Sequence, residues 1–328
     1  MTTISLPLSS LQPDKQIAAA VTEGLMSQPR WLPSWLFYDA AGSVLFDRIT
    51  ELPEYYLTRT ERSILAQRAA DIVAIAAGED ALQIVELGAG SCDKTRLLLR
   101  AAVERQDTVL YEPLDVSPTA LELAQKRIEC EIPGVMVAPR VVDYVQDFAL
   151  EPALPGNRRL VLYIGSSIGN FEPHEAAALL GNVRSALMKG DSILLGVDLV
   201  KDEGTLLDAY DDAAGVTAAF NRNILVRLNR ELGANFDAEA FAHRAVWNSS
   251  RSRMEMHLES RIHQAVAIPS LDLQLTFARG ETIHTENSYK YRAGQAEALL
   301  REAGFESDRT WTDDRGWFAV CLAHAVCP

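Results

Sequence analysis

Between residues 83 and 198 the chain alternates short apolar runs with amphipathic stretches, and few folds accept that alternation. Runs at 83–87 (QIVEL), 108–114 (TVLYEPL), 135–142, 160–164 (LVLYI) and 192–197 (SILLGV) read as strands. Helical patterns occupy 94–105, 118–131 and 173–188. A strand covered by helices on both faces loses the apolar/polar alternation of a half-exposed strand and becomes a continuous apolar run. The pattern predicts an α/β fold built on a doubly wound, largely parallel sheet.

Beyond Asp198 the pattern changes. Residues 202–232 read as helical and carry the polar segment AYDDAAGVTAAFNRN. Met254, Met256 and Leu258, then Leu271, Leu273, Leu275 and Phe277, alternate with period two, as half-buried antiparallel strands do. A helix over 293–303 stops at Gly304, a favoured C-terminal cap. Strand-like 308–312, the turn DDRG and strand-like 317–325 follow, and would close the sheet with an antiparallel hairpin. The expected division is a discontinuous α/β domain, 62–198 plus 290–328, and a second, α+β domain from 1–61 and 199–289. The aromatic density of Trp31, Trp35, Phe37, Tyr38, Phe46, Tyr55 and Tyr56 suits packing on that insert.

Charge and cysteine usage narrow the function classes. Asp and Glu number 45 against 31 Lys and Arg, a net charge of −14, which disfavours nucleic acid and anionic membrane as partners. Cysteines at 92, 130, 321 and 327 have no C-x-x-C or paired spacing, as expected of free thiols in a reducing cytoplasm. The opening MTTISLPLSSLQPDKQ has no basic stretch leading into an apolar core, so no signal peptide is expected. No apolar run approaches the ~18 residues that would span a bilayer. The six histidines lack ligand spacing such as H-E-x-x-H, so no metal is expected.

The first strand runs into Gly88-Ala89-Gly90-Ser91-Cys92-Asp93-Lys94 and then a helix. Glycines at such a turn permit tight bending and close approach of a ligand to the backbone. A dinucleotide fingerprint asks for G-x-G-x-x-G, but Asp93 holds the third position and would face the pyrophosphate. An NAD-binding reading is therefore disfavoured. The form E-x-G-x-G, from Glu86 to Gly90, resembles the first motif of class I S-adenosylmethionine (SAM)-dependent methyltransferases. Asp115 at the tip of the second strand can accept from both ribose hydroxyls. Asp143 and Tyr144, after the third strand, can accept from the adenine amino group and flank the base.

Longer segments extend the resemblance. WLFYDAAGSVLFDRITELPEYYLTRTE, VELGAGSCDKT, IGSSIGNF, DLVKD, AYDDAAGVTAAFNRN and TENSYKY resemble the L-histidine Nα-methyltransferases of ergothioneine biosynthesis, from about residue 30 to the C-terminus. The resemblance implies a Rossmann-like class I methyltransferase domain plus a domain that cradles the amino acid. It implies trimethylation of the histidine α-amine to hercynine, with SAM as methyl donor and no metal. Cofactor contacts would fall on Gly88, Lys94, Asp115, Asp143 and Tyr144. Substrate contacts would fall on Tyr55, Asn170, Tyr210, Met256, Glu286, Asn287 and Ser288, with Tyr38 as the catalytic candidate near the amine. Within this set Asn170 and Tyr210 are expected to hold the carboxylate, Glu286 the imidazole N–H, and Tyr55 or Ser288 the other ring nitrogen. A monomer acting on a small molecule is expected. Ala89, Tyr144 and Ser167 depart from the family pattern (serine, phenylalanine and threonine) but keep size or polarity.

Each residue also has an ordinary structural role open to it. Tyr38 and Tyr55 suit a core, Asn170 a turn, Tyr210 a solvated acidic helix, and Glu286 and Ser288 a wet strand face. The same chemistry on another amino acid such as tryptophan, or a non-catalytic protein that binds SAM or histidine, remains open at this level.

Overall fold

The computed structural model describes residues 15–90, 92–145, 148–150 and 153–326. The chain divides into two compact units. The larger comprises 47–212, 246–254 and 287–328; the smaller comprises 1–46, 213–245 and 255–286.

The larger unit is organised by an eight-stranded sheet. Its strands are β1 (Ala81–Leu87), β2 (Val109–Asp115), β3 (Val135–Val137), β4 (Arg140–Val141), β5 (Asn157–Tyr163), β6 (Ser192–Asp198), β7 (Phe305–Thr312) and β8 (Phe318–Ala325). The spatial order is β7-β8-β6-β5-β1-β2-β3, with β4 also paired to β2. From β6 to β3 the pairing is parallel, whereas β8 runs antiparallel to β6 and β7 antiparallel to β8. The chain winds outward from β1 to β3, then returns to lay β5 against the other side of β1. The switch point between β1 and β5 is where open α/β sheets bind ligands.

The continuous apolar runs behave as the pattern predicts. Along β1, Leu82 and Ile84 enter one core layer with Leu98, Leu99 and Ile128, while Val85 and Leu87 enter the opposite layer with Leu179, Leu180 and Val197. Helices α1 (Tyr56–Ala77), α2 (Thr95–Gln106), α3 (Pro118–Glu131), α4 (Pro173–Ser185), α5 (Glu203–Tyr210) and α6 (Gln295–Glu302) belong to this unit. Ser117 caps α3 by accepting the Ala120 N–H at 3.3 Å, with Pro118 at the first helical position, where its missing N–H is harmless.

Two sequence expectations need revision. The stretch 135–142 is not one strand but two short ones, interrupted at Ala138-Pro139, where proline cannot donate to a ladder. Residues 202–232 form two helices, α5 and Val216–Leu232, because Gly215 takes a left-handed conformation (φ 71°) between them.

In the smaller unit the helix Val216–Leu232 buries Phe220, which stacks on Phe37 at 4.6 Å between ring centres. A four-stranded sheet, most of whose residues fall in this unit, runs in the order Arg30–Trp31, Thr282–Tyr289, Arg253–Ser260, Phe241–Asn248. Met254, Met256 and Leu258 are buried, as their alternation requires. An antiparallel hairpin pairs Gln264–Ile268 with Leu273–Phe277. Among the described residues no helix is long and apolar enough to cross a membrane. Cys92, Cys130 and Cys321 are free thiols; Cys327 and the opening fourteen residues lie outside the described set.

Candidate active site

The loop after β1 is folded onto the end of β2. Gly88 and Ala89 donate their N–H groups to the Leu114 carbonyl at 2.8 and 3.3 Å, and Gly90 N–H donates to Asp115 Oδ2 at 3.2 Å. Gly88 (φ 68°) and Gly90 (φ 50°) both lie in the left-handed region that favours glycine. A Cβ on Gly88 would meet the Tyr144 hydroxyl at 3.0 Å, whereas one on Gly90 would meet open space. Asp115 also accepts the Ser117 N–H at 2.9 Å, and Val142 N–H donates to the Asp115 carbonyl at 3.1 Å, drawing the next loop in. Asp143 there accepts the Val145 N–H at 3.1 Å. Burial, reinforced by the Asp115 charge, raises the Tyr144 pKa, so its hydroxyl stays protonated. Gly88, Asp115 and Tyr144 thus converge at the carboxyl ends of the strands, with Asp143 beside Tyr144 in sequence.

This arrangement fits SAM. A strand-tip carboxylate can take ribose hydroxyls, an open glycine surface admits a ligand against the backbone, and a half-buried tyrosine ring offers a flat wall. Asp93 presents no bare charge at the loop: it is ion-paired to Arg96 and lies 3.4 Å from Arg127 and 3.5 Å from Arg62.

Beneath the loop lies a support in which Glu86 and Lys94 meet partners, Thr95, Tyr111 and Glu61, that sequence reading did not single out. Glu86 is buried and accepts from Thr95 Oγ1 at 2.6 Å and from the Tyr111 hydroxyl. Tyr111 also lies 3.0 Å from Cys92 Sγ. The acid of E-x-G-x-G therefore ties the end of β1 to the first turn of α2. Burial pushes its pKa up to about 7, although both hydrogen bonds favour the ionised form. Lys94 pairs with the fully buried Glu61, whose two oxygens also share the Gly165 N–H at 2.9 Å. Gly165 follows β5, so this carboxylate links the loops on either side of the switch point.

A second cluster in the larger unit surrounds Asp198, the last residue of β6, which is 0% exposed. Its carboxylate accepts from the Tyr56 hydroxyl at 2.7 Å, Lys201 Nζ at 2.5 Å and Lys290 Nζ at 2.8 Å. Lys201 also donates to Tyr56 at 2.6 Å. Burial lowers the Lys201 pKa to about 8 against the pull of Asp198. Lys290 donates onward to Tyr210 at 2.8 Å and Ser288 at 2.9 Å, and the Tyr210 hydroxyl donates to Ser288 at 2.7 Å. Two of the expected substrate residues, Tyr210 and Ser288, are thereby brought together. Lys290 and Asp198 were missed as site residues. Their signals were the spacings Asp198-x-x-Lys201 and Ser288-x-Lys290, the latter on one face of an extended chain.

The other expected residues are distributed as follows. Asn170 ends a 3₁₀ turn after β5, is half-buried, and its amide makes no hydrogen bond among the described residues. Gly169 beside it admits no Cβ, because the Tyr289 carbonyl would lie 2.8 Å away. Tyr55 is buried immediately before α1. Asn287 donates to Glu172 at 3.4 Å, on the face of its strand opposite Glu286 and Ser288. Tyr38, Met256 and Glu286 belong to the smaller unit. Tyr38 packs edge-on against Phe46 and Phe220 at 5.7 and 5.9 Å. Met256 is 2% exposed, and its carbonyl accepts from Thr285 Oγ1 at 3.0 Å. Glu286 is half-buried.

A doubly wound parallel sheet closed by an antiparallel hairpin, with a glycine loop at its switch point and an acidic tip on the neighbouring strand, defines a class I SAM-dependent methyltransferase. Comparison with known proteins narrows the class. Residues 17–325 match the family of histidine-specific, SAM-dependent methyltransferases, and the chain belongs to that family. It is 48% identical to a histidine N-alpha-methyltransferase of Mycolicibacterium smegmatis, covering 92% of this chain and 93% of that protein. It is 45% identical to the protein of the same name in Mycobacterium tuberculosis, with the same coverage. It is 32% identical to ergothioneine biosynthesis protein 1 of Neurospora crassa, covering 87% of this chain and 32% of that longer protein.

Proposed function

We propose that the chain transfers three methyl groups from SAM to the α-amine of L-histidine, giving hercynine, a step of ergothioneine biosynthesis. The observation that carries this reading is family membership over residues 17–325, with 48% identity to a histidine N-alpha-methyltransferase across nearly the full length of both proteins. The unpaired thiols support a reducing, cytoplasmic setting, and a monomer is the proposed state.

Gly88, Lys94, Asp115, Asp143 and Tyr144 are the residues proposed to hold SAM. When bound, SAM supplies an electrophilic methyl group, the N–C bond forming as S–C breaks and S-adenosylhomocysteine leaving. The protein's own task is alignment and removal of water, since an unprotonated amine is already a competent nucleophile. The amine, with a reference pKa of about 8 in peptides, must lose a proton in each round. Tyr38 is the residue proposed to take or relay it.

Among the described residues nothing takes the Asn170 amide, which is proposed to donate to the substrate carboxylate with Tyr210 beside it. Glu286, when ionised, accepts only, so it suits the imidazole N–H, while Ser288 or Tyr55 donates to the other ring nitrogen. A site so equipped disfavours side chains that leave its buried polar groups unpaired. Met256 supplies an apolar wall, and Asn287 steadies the strand through Glu172. Mass spectrometry of histidine incubated with purified protein and SAM tests the reading. Products heavier by one, two and finally three methyl groups are expected; unmodified histidine would overturn it.

A further inference from the structure

The ammonium of Lys290 has three protons, and the structure accounts for each of them. They go to Asp198 Oδ2 at 2.8 Å, Tyr210 at 2.8 Å and Ser288 at 2.9 Å. The side chain is 0% exposed, so water does not compete for them. Asp198 in turn is held by Tyr56 and Lys201, which leaves Lys290 little freedom to swing away.

This fixes the polarity of Ser288. A serine hydroxyl is ordinarily ambivalent, with one proton to give and two lone pairs to receive. Here its oxygen receives from Lys290 and from Tyr210, and both lone pairs are used. The direction of the Tyr210–Ser288 bond follows from acidity, since a phenol is a stronger donor than an alkanol and Lys290 polarises it further. The serine proton must point away from the cluster. Ser288 is therefore a group that gives a hydrogen bond and cannot take another.

We propose that Lys290 is a positioning residue that makes Ser288 a donor-only group, so that the site selects a ring atom bearing a lone pair. The inference rests on the reading of Ser288 as a contact of the substrate ring. Of the two nitrogens of a neutral imidazole, only the unprotonated one satisfies Ser288. A ring that offers N–H alone leaves that buried donor unpaired, and a buried unpaired group is the strongest means a site has of rejecting an analogue. Without Lys290 the serine would regain a lone pair and could turn to meet either kind of atom.

The test uses the full chain with SAM and two amino acids: histidine, and an alanine bearing a pyrrole ring, which has the N–H but no acceptor nitrogen. The quantity read is the ratio of their kcat/KM values. The native protein favours histidine, and Lys290→Met lowers the ratio by about tenfold. Ser288→Ala lowers it similarly, and adding Lys290→Met to Ser288→Ala changes it no further, because Lys290 acts through Ser288. A purely structural role would depress both substrates together and leave the ratio intact, and that result overturns the proposal. Should Lys290→Met fail to fold, the native protein decides: a ratio below about threefold refutes a donor-only Ser288, and a larger one supports it. Absence of any histidine methylation by the native protein would instead refute the proposed function.

Discussion

Replacing Asp115 by alanine separates two jobs that the structure gives one side chain. Its carboxylate accepts the Ser117 N–H at 2.9 Å and the Gly90 N–H at 3.2 Å, and it is the group proposed to receive the ribose hydroxyls of SAM. Loss of the two backbone contacts costs about 0.5–1.5 kcal/mol each at most, less where water replaces the carboxylate at this partly exposed strand tip. Loss of a charged acceptor for a ligand hydroxyl costs about 1.5–3 kcal/mol, a weakening of roughly 10- to 150-fold at 1.4 kcal/mol per decade. Calorimetric titration of SAM into the folded Asp115→Ala protein reads the second effect, and urea unfolding reads the first. Asp115→Asn keeps a neutral acceptor and should lie between alanine and the native protein. An Asp115→Ala protein that is folded yet binds SAM within a factor of about two of native would refute the assignment.

The remaining expectations concern pH, specificity and the course of methylation. Glu86 has its pKa raised by burial to about 7 in the fold against about 4.3 when free, so its contribution to stability is full below pH ~4.3 and is lost as pH rises through 7. Glu86→Gln removes that titration, and its unfolding free energy should fall less than the native value between pH 4 and 8, by up to about 3 kcal/mol; parallel curves would reject the shift. Glu286→Leu should raise KM for histidine by the loss of a charge-assisted bond worth about 1.5–3 kcal/mol, and adding Met256→Val should move kcat/KM toward tryptophan; a ratio unchanged in both proteins would place specificity elsewhere. Mono- and dimethylhistidine should both serve as substrates, whereas a time course that halts at one methyl would contradict hercynine as product.

The sheet was legible because its strands are buried on both faces and so announce themselves as apolar runs; Ile84 and Val85 feed opposite core layers, as that reading requires. The antiparallel hairpin was legible for a related reason, since 317–325 is apolar almost throughout. The residues proposed to hold the cofactor could be grouped from local order, because Gly88 and Gly90 follow β1 directly and Asp115 ends β2. What could not be read were partnerships made by the fold itself. Glu61 gains its meaning only when α1 passes over β6 and β5, and Asp198 only when strand Thr282–Tyr289 delivers Lys290. Such groups look like ordinary surface charges in a list of residues, and only burial turns them into obligate pairs. The break at Pro139 left a weaker sign, since β3 and β4 lie on the edge of the sheet, where proline is tolerated, and the flanking valines concealed it.

Gly196 shows the same point in one residue, and supplies a test of it. In the run SILLGV it resembles a filler within a strand, yet a Cβ there would overlap Glu61 Oε1 and lie 3.3 Å from the Ile164 Cα. Its backbone is ordinary, so alanine is excluded by the carboxylate and not by strain. Gly196→Ala should drive Glu61 from its seat, leaving Lys94 without its partner and the Gly165 N–H without an acceptor. Breaking a buried pair of this kind costs about 3–5 kcal/mol, and Glu61→Ala alone should cost a similar amount. The double variant should not suffer both losses, because alanine at 61 vacates the space that alanine at 196 needs. Its cost should fall short of the sum by about 3 kcal/mol, at the strong end of couplings between contacting residues. Equilibrium unfolding of the four proteins measures this directly. Additivity to within about 0.5 kcal/mol would mean that Gly196 is not kept small by Glu61, and that the loops flanking the switch point are joined by something else.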